Sequence, residues 1–321
     1  MRKFFVLSVF LLALLLLLPL AALRENPPSL PVLAESTVTS QNAQTTQNTE
    51  SFKVLISETG KTETLTREEY LFGVVAGEMP ALYEEEALKA QAVCAYTFLK
   101  WRQKENSDKE YDITDNYQID QCYISEQKAL EKWGSKADEY SQKIKNAIES
   151  VLGQALNYNG EIILSVYHAV SGGITESAKN VWGKEYPYLQ SVSSVGDKLS
   201  ANYITTVDAT KEKIEGCFSV TLPTGLKGTF TDFKRTSSGY VKSVKICGKE
   251  FSGSEIREIM GLKSTNFSVT LKDNIFTFTV YGYGHGVGMS QNGANYMAQQ
   301  GSDYKEILAH YYKGSQIMRN S

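Results

Sequence analysis

Between Tyr281 and Ala294 the chain reads Tyr-Gly-Tyr-Gly-His-Gly-Val-Gly-Met-Ser-Gln-Asn-Gly-Ala, with glycine at every second position from Gly282 to Gly288. No other stretch narrows the available folds as much. A strand sends alternate side chains to opposite faces, so a strand here has one face of bare backbone. The other face carries Tyr283 and His285. Just upstream, Phe276, Phe278 and Val280 share the glycine side, so an apolar face runs into a naked one. Glycine inside a strand marks the close approach of a ligand or of another element of the chain, and the pattern leaves both readings open. His285, one of three histidines, stands where backbone is exposed rather than on an apolar stripe, which points to a site.

The N-terminus sets the location. Arg2 and Lys3 precede an uncharged run from Phe4 to Leu23. At about 1.5 Å per residue this run spans roughly 30 Å, the thickness of a bilayer core. A cleaved signal has a shorter apolar region, about 7–15 residues, closed by an Ala-x-Ala-like site. Val32-Leu33-Ala34 lies well beyond the run. Residues 1–23 therefore read as a cytoplasmic stub and a single-pass anchor in the cell membrane, with the rest outside. Residues 24–50 are rich in Ser, Thr, Gln, Asn and Pro and have nothing to bury. They read as a disordered tether with a reach of roughly 30 Å. Residues 51–321 form the extracytoplasmic domain. The whole chain has 42% apolar residues, 21% charged and a net charge of −3, which gives material for a core and no electrostatic footprint for nucleic acid.

Four cysteines, Cys94, Cys122, Cys217 and Cys247, match no zinc-knuckle or redox spacing. Cys94 falls in an apolar helical stripe and reads as buried. An oxidising exterior permits a Cys217–Cys247 bridge.

Mixed helices and hairpin strands give an α+β fold with an inserted second lobe over about residues 199–262. Phe52 to Ser57 reads as a strand. Thr66 and Glu69 form a capping box, opening a helix with Leu71, Val74 and Val75 on one face and ended by Pro80. A second helix begins at Glu84-Glu85-Glu86 and carries Leu88, Ala92, Ala95 and Leu99. A third covers about residues 136–152. Ile162 to Ala169 reads as a strand, Ser254 to Met260 as a short helix. Two closing helices follow, the second capped by Ser302 and stopped by Gly314.

Glu78 is the candidate acid. Steps of three and four place it on the stripe of Leu71, Val74 and Val75, at a helix C-terminus. Desolvation and the negative end of the helix dipole both oppose its ionisation. A neutral Glu is what a general acid for glycoside cleavage needs, although a surface Glu at a frayed helix end has the same periodicity. No second acid stands near it in sequence, whereas glycosidases usually pair two carboxyls. One chemistry needs only one: the sugar's own 6-hydroxyl attacks the anomeric carbon while a single Glu first gives and then takes the proton.

His168 taken alone is compatible with a satisfied core histidine. Ser171 in Ser-Gly-Gly lacks the Gly-x-Ser-x-Gly elbow of a hydrolase. A His168/His285/Cys122 zinc site is conceivable by ligand type only. His310 reads as structural.

Several long motifs, in order, resemble the stage II sporulation protein D family. They are Val74-Val-Ala-Gly-Glu78-Met-Pro-Ala with Leu88-Lys-Ala-Gln-Ala-Val, and Tyr167-His-Ala-Val-Ser-Gly-Gly-Ile-Thr-Glu176 with Val181-Trp and Tyr186-Pro-Tyr-Leu189. Gly284-His-Gly-Val-Gly-Met-Ser-Gln-Asn-Gly-Ala294 and Ile307-Leu-Ala-His-Tyr-Tyr312 complete the match. The resemblance spans about residues 52–314. It implies a membrane-anchored lytic transglycosylase acting on peptidoglycan glycan strands, preferentially peptide-denuded ones, with a 1,6-anhydro product. The family acts in septal wall remodelling during engulfment, beside a cell-wall amidase/endopeptidase and a polytopic membrane protein. The family's catalytic acid falls on Glu78. Substrate-binding roles for His168, Ser171, Gly172, Tyr188, His285, Ser290 and Gln291 follow from their motifs alone. No cofactor is implied. Some members bind zinc through a His and two Cys in the loop after the second helix; here that loop, Asp115 to Tyr123, has one Cys and no His. A glycan-binding enhancer of an amidase, without cleavage of its own, and a scaffold dominated by its anchor are the competing functions.

Overall fold

The computed structural model describes residues 50–319. The anchor, and the tether apart from Glu50, lie outside the described residues. Among those described, no helix is long and apolar enough to cross a membrane.

A hairpin of β1 (Ser51–Ile56) and β2 (Lys61–Thr66) opens the structure. Thr66 then caps α1 (Arg67–Glu78). Its hydroxyl accepts the Glu69 amide, and the Glu69 carboxylate accepts the Thr66 amide, so the capping box forms as the sequence predicts. Every residue of α1 from Tyr70 to Ala76 is buried. An all-round apolar helix of this kind belongs inside a core.

The second helix, α2 (Glu85–Glu105), is the central post. It starts with Glu85 and Glu86 at the positive end of its dipole. It is buried from Ala87 to Leu99 except at Lys89, and its alanines let neighbours approach closely. β3 (Ile113–Thr114) extends the first hairpin in parallel with β1. Next come α3 (Glu126–Trp133), α4 (Ala137–Ser150), β4 (Gln154–Tyr158), β5 (Glu161–Ile162), β6 (Tyr167–His168) and the short α5 (Ala178–Trp182). The strand read over Ile162 to Ala169 is thus two short pieces with an extended link.

The second lobe holds β7 (Ile204–Ala209), α6 (Lys211–Phe218), β8 (Phe230–Arg235), β9 (Val241–Ile246), β10 (Lys249–Ser252), α7 (Gly253–Met260), β11 (Phe267–Lys272) and β12 (Ile275–Tyr281). Its two antiparallel sheets, ordered β10-β9-β8 and β11-β12-β7, enclose a separate apolar core. Phe276, Phe278 and Val280 belong to that core, so the lobe does not stop near residue 262. It runs to Tyr281, because β12 is the middle strand of its sheet.

The chain then returns through β13 (Met289–Ser290), which pairs in parallel with β6. It closes with α8 (Gln291–Gln299), α9 (Tyr304–Tyr311) and β14 (Gln316–Arg319), the last beside β4. α1, α4, α8, α9 and β4 all pack on α2. The α+β class expected from the sequence is what forms. Asp303, not Ser302, caps α9, with Glu306 completing a capping box. Cys217 and Cys247 are free, exposed thiols, so the permitted bridge is absent.

The glycine segment is not a continued strand. Gly282, Gly284, Gly286 and Gly288 have φ of +84°, +117°, +81° and +73°, a region closed to most L-residues. The space over them is filled by the protein itself. A Cβ on Gly284 would sit 2.7 Å from that of His168, and one on Gly286 would meet the Tyr240 ring. The close approach read in the sequence is therefore chain against chain. Both strain and clash act on Gly284→Ala, so it should lose about 2 kcal/mol or more of stability, seen as a clear fall in melting temperature.

Candidate functional site

Glu78 is the last residue of α1, where Met79 turns the chain out of the helix. Its helix neighbours Gly73 and Gly77 supply a flat face. The loop from Asp115 to Ile124 lies on that face. A Cβ on Gly73 would run into the Tyr123 ring, and one on Gly77 would stand 3.1 Å from the Cys122 sulfur. Interior glycine costs a helix about 1 kcal/mol; here it admits the loop. The loop delivers the Cys122 amide to Glu78 Oε1 at 2.8 Å.

The Glu78 carboxyl is half-buried on the wall of a cavity of about 420 Å3. Tyr117, Gln118, Ile119, Asp120 and Gln121 come from the loop, Val166 and Tyr167 from around β6, Phe98 from α2, Trp182 from α5 and His285 from the glycine segment. A second cavity of about 360 Å3 shares Phe98, Ile119, Val166 and Trp182 and continues to Trp101 and Tyr186. The two make one groove with aromatic walls.

Burial raises the Glu78 pKa above the usual carboxyl range, against hydrogen bonds to the Cys122 amide, Gln291 and Tyr167. The helix terminus adds no cation, since the last turn of α1 holds none. The other carboxylate on the cavity wall, Asp120, forms an ion pair with Arg102 and accepts the Thr114 amide at 2.9 Å. Burial therefore favours the protonated form of one acid, while the second is paired with a cation.

Of the residues singled out in the sequence, His285 and Gln291 reach Glu78's surroundings. His285 lines the cavity; its Nδ1 accepts the Val287 amide at 3.0 Å. Burial takes its pKa down to about 3, helped by His168 and Arg257. Gln291 lies close enough to Glu78 to oppose the rise of its pKa, and its Nε2 donates to Gln91 Oε1 at 3.4 Å. The remaining five lie elsewhere. His168 is buried, donates from Nδ1 to the Val287 carbonyl at 3.1 Å, and burial lowers its pKa to about 4. Ser171 and Ser290 are fully buried and both donate to Asp197, Ser290 at 2.7 Å; Ser290 also caps α8. Gly172 donates its amide to the Tyr240 hydroxyl at 3.1 Å, where lobe meets main body. The Tyr188 hydroxyl accepts the Leu164 amide at 3.1 Å beneath the groove. His310 bonds the Ser193 carbonyl, a structural contact as read. Among the described residues no group of three His, Cys, Asp or Glu is placed to hold a metal, so the structure does not bring His168, His285 and Cys122 together as a zinc site.

Sequence reasoning passed over Tyr167, Gln121, Trp182, Tyr117 and Ile119. Tyr167 had a signal, because neighbours in a strand face opposite ways and only one of Tyr167 and His168 could meet a site. The buried Asp197 also went unnoticed. Its pKa is raised by burial and opposed by bonds from Ser171 and Ser290.

The linkage sign for Glu78 is set by its direction of shift. A carboxyl neutral in the fold contributes its full stability below the unfolded pKa of about 4.3, and loses it as pH rises through the higher folded value. Glu78→Gln should therefore melt at or above the wild-type temperature at pH 7, with the difference vanishing near pH 4. A melt series across that range checks this.

Residues 56–158 match the family described as "Stage II sporulation protein". Stage II sporulation protein D of Bacillus amyloliquefaciens is 38% identical over 258 residues, 79% of this chain and 75% of that protein. The Bacillus subtilis (strain 168) protein of the same name is 38% identical over 259 residues, with 79% and 75% coverage. The "Amidase enhancer" of Bacillus subtilis (strain 168) is 29% identical over 300 residues, 77% of this chain but 40% of that protein.

Proposed function

The chain belongs to the stage II sporulation protein D family, and on that premise we propose that it is a lytic transglycosylase of peptidoglycan glycan strands, with Glu78 as its only acid and base. The observation that carries this reading is a groove-facing Glu78, its pKa raised by burial, beside a second carboxylate, Asp120, tied up by Arg102. Glycoside hydrolases usually work with two carboxyls; this groove offers one.

In the proposed reaction the Glu78 hydroxyl gives its hydrogen to the glycosidic oxygen, and the bond to the anomeric carbon breaks. The resulting carboxylate, still accepting the Cys122 amide, takes the proton of the sugar's 6-hydroxyl. That oxygen closes on the anomeric carbon, giving a 1,6-anhydro end and a neutral Glu78. No water enters the balance. Trp182, 44% exposed, and Tyr117, 71% exposed, offer aromatic faces for sugar rings. The neutral imidazole of His285 forms a wall without adding charge.

The reading includes a place. The uncharged run at residues 4–23 anchors the chain, and the polar stretch after it holds the groove within reach of the wall outside the membrane, in sporulation, alongside a cell-wall amidase. A second reading has one observation behind it, the relative named for enhancing an amidase. In that reading the groove holds glycan and another protein cuts.

The purified chain incubated alone with peptide-denuded glycan separates the two. Soluble ends carrying 1,6-anhydro sugar, identified by mass spectrometry, support the enzyme. Amidase stimulation with no such product supports the enhancer. For the enzyme, Glu78→Gln should lower the rate by about 10²–10⁴-fold, the usual worth of a general acid–base group, with the fold intact. Trp182→Ala should raise KM by about tenfold, as loss of an aromatic contact worth over 1 kcal/mol does, and leave kcat nearly unchanged.

A further inference from the structure

The two cavities that make up the groove differ in charge. The first is lined by Glu78 and Asp120 and by no lysine or arginine. The second is lined by Arg102 and Lys184 and by neither aspartate nor glutamate. The cavities share Phe98, Ile119, Val166 and Trp182. A strand lying across these shared residues therefore meets the acid at one end of the groove and cations at the other.

The two cations are not equivalent. Arg102 reaches back to Asp120, whose side chain is fully buried, and that pair matches its charge. Lys184 is exposed and follows Gly183, the left-handed residue that ends α5. The adjacent carboxylate, Glu185, is held by Lys179 at 3.1 Å. Among the described residues no carboxylate forms an ion pair with Lys184. Its ammonium lies 4.9 Å from the centre of the Tyr186 ring, which lines the same cavity. A ring face attracts a cation and keeps the ammonium at the groove wall, while an ammonium has three donors to offer. An exposed lysine alone would say nothing. This one stands on the aromatic wall of a cleft, without an acidic partner, in the cavity next to Glu78.

The ligand class follows from what a glycan strand can present. Its hydroxyl and acetamido groups are neutral. Its acidic group is the lactyl ether carboxyl of muramic acid. Joined to a stem peptide, that carboxyl is an amide, neutral and bulky. With the peptide gone it is a carboxylate, ionised at pH values well above about 4.

We propose that the second cavity is a carboxylate subsite, in which Lys184 binds the free lactyl group of a peptide-denuded muramic acid while Trp101 and Tyr186 offer ring faces to the sugars. The subsite reads whether the peptide has been removed. A peptide-bearing strand loses the ion pair and brings a peptide into the same cavity. The reaction that supplies the substrate is then hydrolysis of the amide between lactyl carbonyl and peptide: one water is consumed, the amine leaves with the peptide and the carboxylate stays on the sugar. Charge complementarity of this kind confers selectivity more than raw affinity. The inference rests on the groove being the glycan site of the proposed function. It adds the group that selects the strand, and it is read by binding without any cleavage.

The test uses the full chain in neutral detergent carrying Glu78→Gln, so that calorimetry reports binding apart from cleavage. The probes are a denuded tetrasaccharide of alternating N-acetylglucosamine and muramic acid, the same molecule with its lactyl carboxyls capped as methyl amides, and an N-acetylglucosamine tetramer. The denuded probe should bind about three- to tenfold more tightly than its methyl amide, the range for a partly exposed charge-assisted contact. That preference should shrink as salt rises from about 0.05 to about 0.5 M. Lys184→Met should abolish it and leave the affinities for the two uncharged probes unchanged; Lys184→Arg should retain most of it. Equal affinity for the denuded and capped probes overturns the proposal, as does a preference that survives in Lys184→Met. An equal loss for all three probes in Lys184→Met also overturns it, by making Lys184 a general sugar contact, and so does failure to bind any of them. A chain that binds with this preference yet releases no 1,6-anhydro ends sinks the enzymatic reading and leaves the subsite standing. Wild-type cleavage of the capped strand as readily as the denuded one does the reverse.

Discussion

The bond from the Cys122 amide to Glu78 is where the architecture of the site converges. It joins the end of a core helix to a loop 44 residues further on. It exists because Gly73 and Gly77 leave α1 without side chains where the loop must lie, and because Gln121 fastens the loop to Tyr70 and Ala95 from inside. The Ile124 amide bonding the Gly73 carbonyl holds the far end. Loosening any of these leaves a half-buried carboxyl without its donor, and an unsatisfied buried group costs about 1–3 kcal/mol. Site geometry and loop stability are thus one problem.

Two further buried carboxylates organise the rest. Asp197, with no exposed surface, collects the Ser171 amide, the Ser290 hydroxyl and the Asn292 amide group. It ties the turn after β6 to the start of α8, and so sets where Gln291 stands. Glu176, 1% exposed, accepts from the Ser177 amide and Asn180 in the main body and from Thr236 in the lobe. Neither has a cation within ion-pair distance among the described residues, so hydroxyl and amide donors alone offset their desolvation. Chemistry-bearing residue types are used here as fasteners, which is why a motif rich in Ser and His overstates the size of the site.

Much of the fold could be read before any coordinates. The Thr66–Glu69 box, the Pro80 stop and the Glu85–Glu86 start all depend on interactions within a few residues, and such signals survive whatever surrounds them. The place of Glu78 at a helix end was legible for the same reason, since its stripe and its helix end are local. The lobe boundary was misjudged because β12 looks alike whether it belongs to one core or the other. The Ser302 cap was misjudged because Asp303, one residue on, completes a box with Glu306 that Ser302 does not.

From the sequence alone came a carboxyl at a helix end, an apolar core around alanine-rich helices and a glycine run that demands close contact. Local period and local caps determine these. Which face of β6 looks into the groove, which serines are absorbed by Asp197, and that Tyr117 and Trp182 wall one cavity were decided only when distant segments met. A strand's alternation says that Tyr167 and His168 part ways. Only the packing of β13 beside β6 on the one side, and of the loop and α1 on the other, says which of them finds the acid.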